Sequence, residues 1–137
     1  MRSLLAVLLL LLALSTSLLG TDKAEKAATE SANHWLSLID GGNYAASWDA
    51  AAPVFKGAVQ KAQWATMLEA TRTPLGKIVS RSVKSAVYTT SLPGAPDGQY
   101  VVIRYETSFE HKKSAVETVT PSLGGDGQWR ISGYYIR

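Results

Sequence analysis

Acid–base chemistry on a small scaffold needs a carboxyl group or a histidine held away from water beside a hydrogen-bond donor. The second half of this chain offers one such set. Pairing the strand-like residues 99–110 with 114–123 through a three-residue turn at His111 to Lys113 sets Phe109 opposite Ala115, Tyr105 opposite Val119 and Val101 opposite Leu123. In that register Glu117 falls on the apolar face, the exception in a hydrophobic row. Carried onto the neighbouring strands, the same reading puts Arg81, Thr107, Glu117 and Tyr135 in one line across the sheet. Such a line is a candidate pocket, with desolvated Glu117 as base and Tyr135 or Arg81 polarising a carbonyl, as an isomerase or dehydratase requires. The same four residues also suit a buried ion pair, bridged by Thr107, that holds the sheet together.

Other routes to chemistry are few. The chain has two histidines, His34 and His111, and no cysteine. Thiol catalysis, disulfides and cysteine-based metal sites are thereby excluded. A serine hydrolase needs a histidine beside its serine, and a histidine metal centre needs two or three converging ligands. His34 lies at the edge of a helical apolar stripe and His111 in a hairpin turn, so both read as structural. There is no Gly-x-Ser-x-Gly elbow, phosphate loop or dinucleotide fingerprint, and Gly124-Gly125-Asp126-Gly127 reads as a strand connection. No cofactor and no metal are expected. The net charge is +3 and the basic residues are scattered, so no face is built to neutralise a row of phosphates and nucleic acid is not an expected partner. Trp35, Trp48, Trp64 and Trp129 lie on helical stripes or open a strand, which places them in the core.

A helical layer and a sheet must position the candidate line. Over residues 21–39, Ala24, Ala28, Ala32, Trp35, Leu36 and Ile39 recur at three- and four-residue steps and draw one stripe, closed by Gly41-Gly42. Asn43 can cap a second helix in which Tyr44, Trp48 and Ala51 share a face until Pro53. Residues 54–59 form a short turn. Residues 61–71 form a further helix with Trp64, Met67 and Leu68 inward, stopped by Thr73-Pro74-Leu75-Gly76. Past Gly76 the period shortens to that of a strand, and β-branched and aromatic residues replace alanine, giving strands at 77–90, 99–110, 114–123 and 128–136. Their connections are short, so they form an antiparallel meander. The resulting fold class is α+β, with N-terminal helices packed on a curved, cone-like, four-stranded antiparallel sheet.

Residues 1–20 read as a leader. Arg2 supplies a positive charge, Leu4 to Leu14 run without a polar residue, and Ser15 to Gly20 bring in small residues, the three-part plan of a signal peptide. The apolar run is about eleven residues against the roughly twenty that a span requires, so no stable membrane span is expected after cleavage. Residues 21–137 read as a single domain. Export without cysteine suits the bacterial periplasm, so a periplasmic or secreted protein is expected.

Gly42-Asn43-Tyr44-Ala45-Ala46-Ser47-Trp48, Arg72-Thr73-Pro74-Leu75-Gly76, Leu92-Pro93-Gly94-Ala95-Pro96-Asp97-Gly98 and Asp126-Gly127-Gln128-Trp129-Arg130-Ile131-Ser132-Gly133-Tyr134-Tyr135-Ile136 together resemble the bacterial domain-of-unknown-function family 4019. The resemblance runs from about Ser31 to the C terminus. It implies an exported single domain and carries over no functional residues. The order of elements is also similar to the nuclear-transport-factor-two-like cone, a fold shared by isomerases, dehydratases and plain binding modules. The expectation is a non-catalytic envelope domain that binds an unknown small ligand or envelope protein through the open end of its cone or an exposed sheet face. A homodimer formed by the outer sheet face is a further expectation. The alternative is a small isomerase- or dehydratase-like enzyme with Glu117 as its pocket carboxylate.

Overall fold

The computed structural model describes residues 2–137, with side chains from residue 20 onward. The chain runs α1 (Arg2–Asp40), α2 (Tyr44–Asp49), α3 (Pro53–Ala58), α4 (Lys61–Arg72), β1 (Ile78–Thr89), β2 (Tyr100–Phe109), β3 (Lys112–Leu123) and β4 (Trp129–Ile136). The leader expected over 1–20 falls, apart from Gly20, outside the described side chains. Among the described residues no helix is long and apolar enough to cross a membrane.

The stripe of α1 is buried as its spacing predicts, through Ala28, Ala32, Trp35, Leu36 and Ile39. The helix stops because Gly42 adopts φ 77°, which lets its N–H reach the Ile39 carbonyl while Asn43 N–H reaches Leu38, the paired bonds of a Schellman end. Pro53 opens α3 at a position where a missing N–H costs nothing, and Ala52 N–H donates to the Ile131 carbonyl at 2.8 Å, tying that turn to β4. In α4, Trp64 and Leu68 are buried, but Met67, expected inward, is 51% exposed. This helix packs on α2 rather than lying flat on the sheet, so its buried stripe is narrower than the apolar spacing suggests.

The strands form one open antiparallel sheet in the order β1-β2-β3-β4, which makes the fold α+β. On β2, Val101, Ile103, Tyr105, Thr107 and Phe109 are buried while Arg104 and Glu106 are exposed, the alternation of a strand with one face covered. Helix α1 contacts all four strands and supplies most of that cover.

Two features of the register differ from the sequence reading. The hairpin between β2 and β3 turns on two residues, Glu110 and His111, rather than on His111 to Lys113, with Phe109 opposite Lys112. Tyr105 therefore pairs with Glu117, Thr107 with Ala115 and Ile103 with Val119, a slip of two residues from the expected pairs. A two-residue slip preserves the face of every side chain, so Glu117 still points under the helices. The second difference changes a face. Along β3 and β4, Pro121 pairs with Ile131 but Thr120 pairs with Gly133, so Ser132 is an extra residue, a β-bulge. Regular alternation from Ile131 would turn Tyr135 inward; past the bulge, Tyr134 takes that place.

Candidate functional site

The inward line of the sheet carries a polar cluster under the helices. Glu117, with no exposed surface, accepts hydrogen bonds at Oε1 from Arg81 Nε at 2.7 Å and from Thr107 Oγ1 at 2.6 Å, and at Oε2 from the Tyr134 hydroxyl. Three of the four expected pocket residues thus come together: Arg81 on β1, Thr107 on β2 and Glu117 on β3. Tyr135 does not join them. It stands 48% exposed on the other face of β4, with the Arg137 guanidinium 5.3 Å from its ring centre. Tyr134 occupies its expected place because of the Ser132 bulge.

Two further members come from helix ends. Asp40, the last residue of α1, receives Arg81 Nη1 at 2.7 Å on one oxygen and Arg81 Nη2 at 3.0 Å on the other. Arg72, the last residue of α4, adds its Nη2 to Asp40 at 3.0 Å. Local sequence pattern holds no signal for either, since Asp40 and Arg81 are 41 residues apart. Arg72 is 5% exposed and stacks over the Phe109 ring at 4.8 Å, while its Nε and Nη1 find no hydrogen-bond partner. The ring face offsets part of that desolvation.

The electrostatics follow from burial and charge. Burial pushes the Asp40 carboxyl up, but hydrogen bonds from Arg81 and the charges of Arg81 and Arg72 outweigh it and hold the group below the ordinary carboxylate range. Burial acts to lower Arg81, yet its bonds to Asp40 and Glu117 keep the guanidinium well above its usual value. Burial first, and then the neighbouring Glu117 carboxylate, push the Tyr134 phenol far up, so it remains a donor. Burial likewise raises Tyr105 to about 12. A general base must reach a substrate proton; here the Glu117 oxygens are already taken, and the residue forms no wall of the apolar cavities.

Concave surface lies elsewhere. A cavity of about 430 Å³ is walled by Phe55 of α3, Trp64 and Met67 of α4 and the loop 92–95, over a floor formed by Thr120 and the bulge at Ser132 and Gly133. No charged side chain lines it. Trp64 is fixed there by an indole N–H bond to Ser47 Oγ at 3.0 Å and by an edge-on contact with Phe55 at 4.7 Å. Trp35 donates to the Ser47 carbonyl, and Trp48 donates to Val59. Trp35, Trp48 and Trp64 are thus held by the helical core, as their stripes predicted. Gly133 borders this floor, and a Cβ added there would meet no heavy atom within 4 Å. Sequence reasoning missed this cavity, since its lining is drawn from six separate stretches of chain. Among the described residues no group of three histidine, aspartate or glutamate side chains is placed to hold a metal ion.

Residues 31–134 match the family described as Protein of unknown function (DUF4019). The chain belongs to the DUF4019 family. No curated protein matches it. The matched stretch of this DUF4019 domain contains the whole polar cluster, from Asp40 to Tyr134, and all of the cavity wall. Tyr135 and Arg137 fall just beyond it.

Proposed function

We propose that this DUF4019 domain is an exported, non-catalytic binding domain of the bacterial envelope that takes a small apolar ligand in the cavity beside Trp64. The observation that carries the reading is the cavity itself: about 430 Å³, open, aromatic-walled and without a charged group. Its size and lining are those of ordinary small-molecule sites, which run from about 300 to 1,000 Å³. Export rests on the residues of the leader. The enzymatic alternative has less support, because Glu117 is saturated by Arg81, Thr107 and Tyr134 and has no exposed surface.

Uptake of the uncharged fluorophore phenylnaphthylamine by the purified domain tests the reading, compared between parent and Gly133→Val. Gly133 borders the cavity, a Cβ added there meets no heavy atom within 4 Å, and valine suits a strand better than glycine. The parent should bind the probe, and Gly133→Val should remain folded and lose it. Absence of uptake by the parent, or uptake indifferent to Gly133→Val, would sink the proposal. Export is checked by the mass of protein recovered from a periplasmic extract: loss of the leader supports it, and an intact Met1 product overturns it.

A second reading, a homodimer, is favoured by Val79 and Val87, which stand 66% and 56% exposed on the edge strand β1. A monomeric mass in solution would remove it.

A further inference from the structure

The face of the sheet turned away from the helices carries a concavity of a different kind. On β2 the buried Tyr105 and Thr107 flank Glu106, which is exposed and so projects to that outer face. Ser82 and Val116 are its cross-strand partners, and Val116 exchanges both backbone hydrogen bonds with Arg137, at 2.8 and 2.9 Å. One step toward the β2–β3 hairpin, Ser80 lies opposite Ser108. Farther from that hairpin the same face holds the pair Val87 and Val102. At this end the positions hold serines, and the surface forms a dish of about 540 Å³.

The lining is rich in hydroxyls. Ser80, Ser82, Ser108 and Ser114 border the dish, and none of their side chains has a hydrogen-bond partner among the described residues. Each can both donate and accept. Charge sits in the wall: Lys113 and Arg137 form no ion pair with a described residue, whereas Glu106 faces Lys84 at 3.7 Å. The Tyr135 ring, 5.3 Å from the Arg137 guanidinium, steadies that cation. Two free cations against one paired carboxylate favour an anionic occupant, and the carboxylate disfavours one that carries several charges.

We infer that this dish binds a hydroxylated monocarboxylate, the chemistry of a sugar acid. The carboxylate lies against Lys113 and the Arg137 fork, whose parallel N–H groups match its two oxygens. The ligand's hydroxyls exchange hydrogen bonds with the serines and donate to Glu106. A neutral sugar forgoes the cations and a simple carboxylate forgoes the serines, so the site selects for both features together. It shares no lining residue with the cavity beside Trp64 and is independent of the apolar-ligand reading.

Amide shifts of the isotope-labelled domain, titrated at fixed ionic strength with glucuronate, glucose and acetate, decide it. Glucuronate should move the amides of Ser82, Val116 and Arg137 saturably. Its advantage over glucose should be about tenfold, the worth of two exposed charge pairs, and Lys113→Gln combined with Arg137→Gln should remove it. Ser82→Val takes a hydroxyl from the dish and adds bulk at an exposed strand position, and should weaken glucuronate about tenfold. An unchanged urea midpoint in both variants separates a lost site from a lost fold. Glucuronate that binds no more tightly than glucose, or than acetate, overturns the inference, as does a preference that survives loss of both cations. No saturable shift with glucuronate ends it and leaves the apolar-cavity reading standing.

Discussion

Glu117→Gln removes one charge and almost no volume, so its cost reports what the carboxylate does. In the parent, Oε1 accepts Arg81 Nε at 2.7 Å and Thr107 Oγ1 at 2.6 Å, and Oε2 accepts the Tyr134 hydroxyl. A glutamine has one oxygen, best left on Arg81 and Thr107. Its NH₂ then faces Tyr134, whose hydroxyl must turn from donor to acceptor. Glu117 has no exposed surface, so water cannot replace what is lost. Charge-assisted hydrogen bonds contribute about 1.5–3 kcal/mol each and neutral ones about 1, which sets the expected loss at about 2–3 kcal/mol. Arg81 keeps Asp40, which limits the damage. Glu117→Leu strands the Arg81 Nε and should cost about 3–5 kcal/mol, while pairing it with Arg81→Met should cost less than the sum of the two single variants. Urea unfolding followed by tryptophan fluorescence reads these values, as midpoint shifts at constant m. A Glu117→Gln protein within about 0.5 kcal/mol of the parent would refute the structural role.

Two further outcomes follow from the same contacts. The Asp40 carboxyl is held below its unfolded value by Arg81 and Arg72, so the stability it contributes is present above about pH 4 and is lost as the pH falls through that range. Asp40→Asn should therefore flatten the acid limb of stability against pH, and parallel profiles for variant and parent would contradict the assignment. Gly76 sits at φ 75°, where a Cβ would come within 2.9 Å of His111 Cδ2 and 3.0 Å of Glu110 Cβ. Gly76→Ala should cost about 1–2 kcal/mol from the backbone alone, with more from the contact; an unchanged thermal midpoint would show that this turn relaxes freely.

Legibility in the sequence tracks the range of the interaction. Apart from the start of α1, which lies at Arg2 rather than at residue 21, helix and strand bounds agree within a few residues, because periodicity and breakers such as Gly42 and Pro74 act locally. The inward face of Glu117 is legible for a related reason: parity along a strand survives a two-residue error in register, the size of the slip between β2 and β3. Tyr135 stands in for Tyr134 in the sequence reading because a bulge breaks parity. The signal of that bulge is Gly133, a glycine inside a strand pattern. Asp40 and Arg72 have no local signal, since each terminates a helix and meets its partner only when helices and sheet dock. The cavity is invisible for the same reason.

The polar cluster and the cavity are joined through packed rings. Tyr134 donates to Glu117 and sets its ring edge-on against Trp35 at 5.3 Å; Trp35 leans on Trp64 at 6.3 Å; Trp64 meets Phe55 at 4.7 Å in the cavity wall. Close-packed interiors transmit displacement because no void absorbs it. Arg81 is the centre of the cluster, binding one carboxylate from the sheet and one from the end of α1. Asp40 alone would be poorly placed there, since a negative charge at a helix C terminus opposes the helix dipole. Apolar residues of similar volume would often hold such a core as well, but they would not tie the ends of α1 and α4 to all four strands at fixed angles. The cluster therefore positions the wall of the cavity without lining it. A variant of Glu117 that weakens ligand uptake must do so through this row of rings, so its loss of affinity has to accompany a loss of stability.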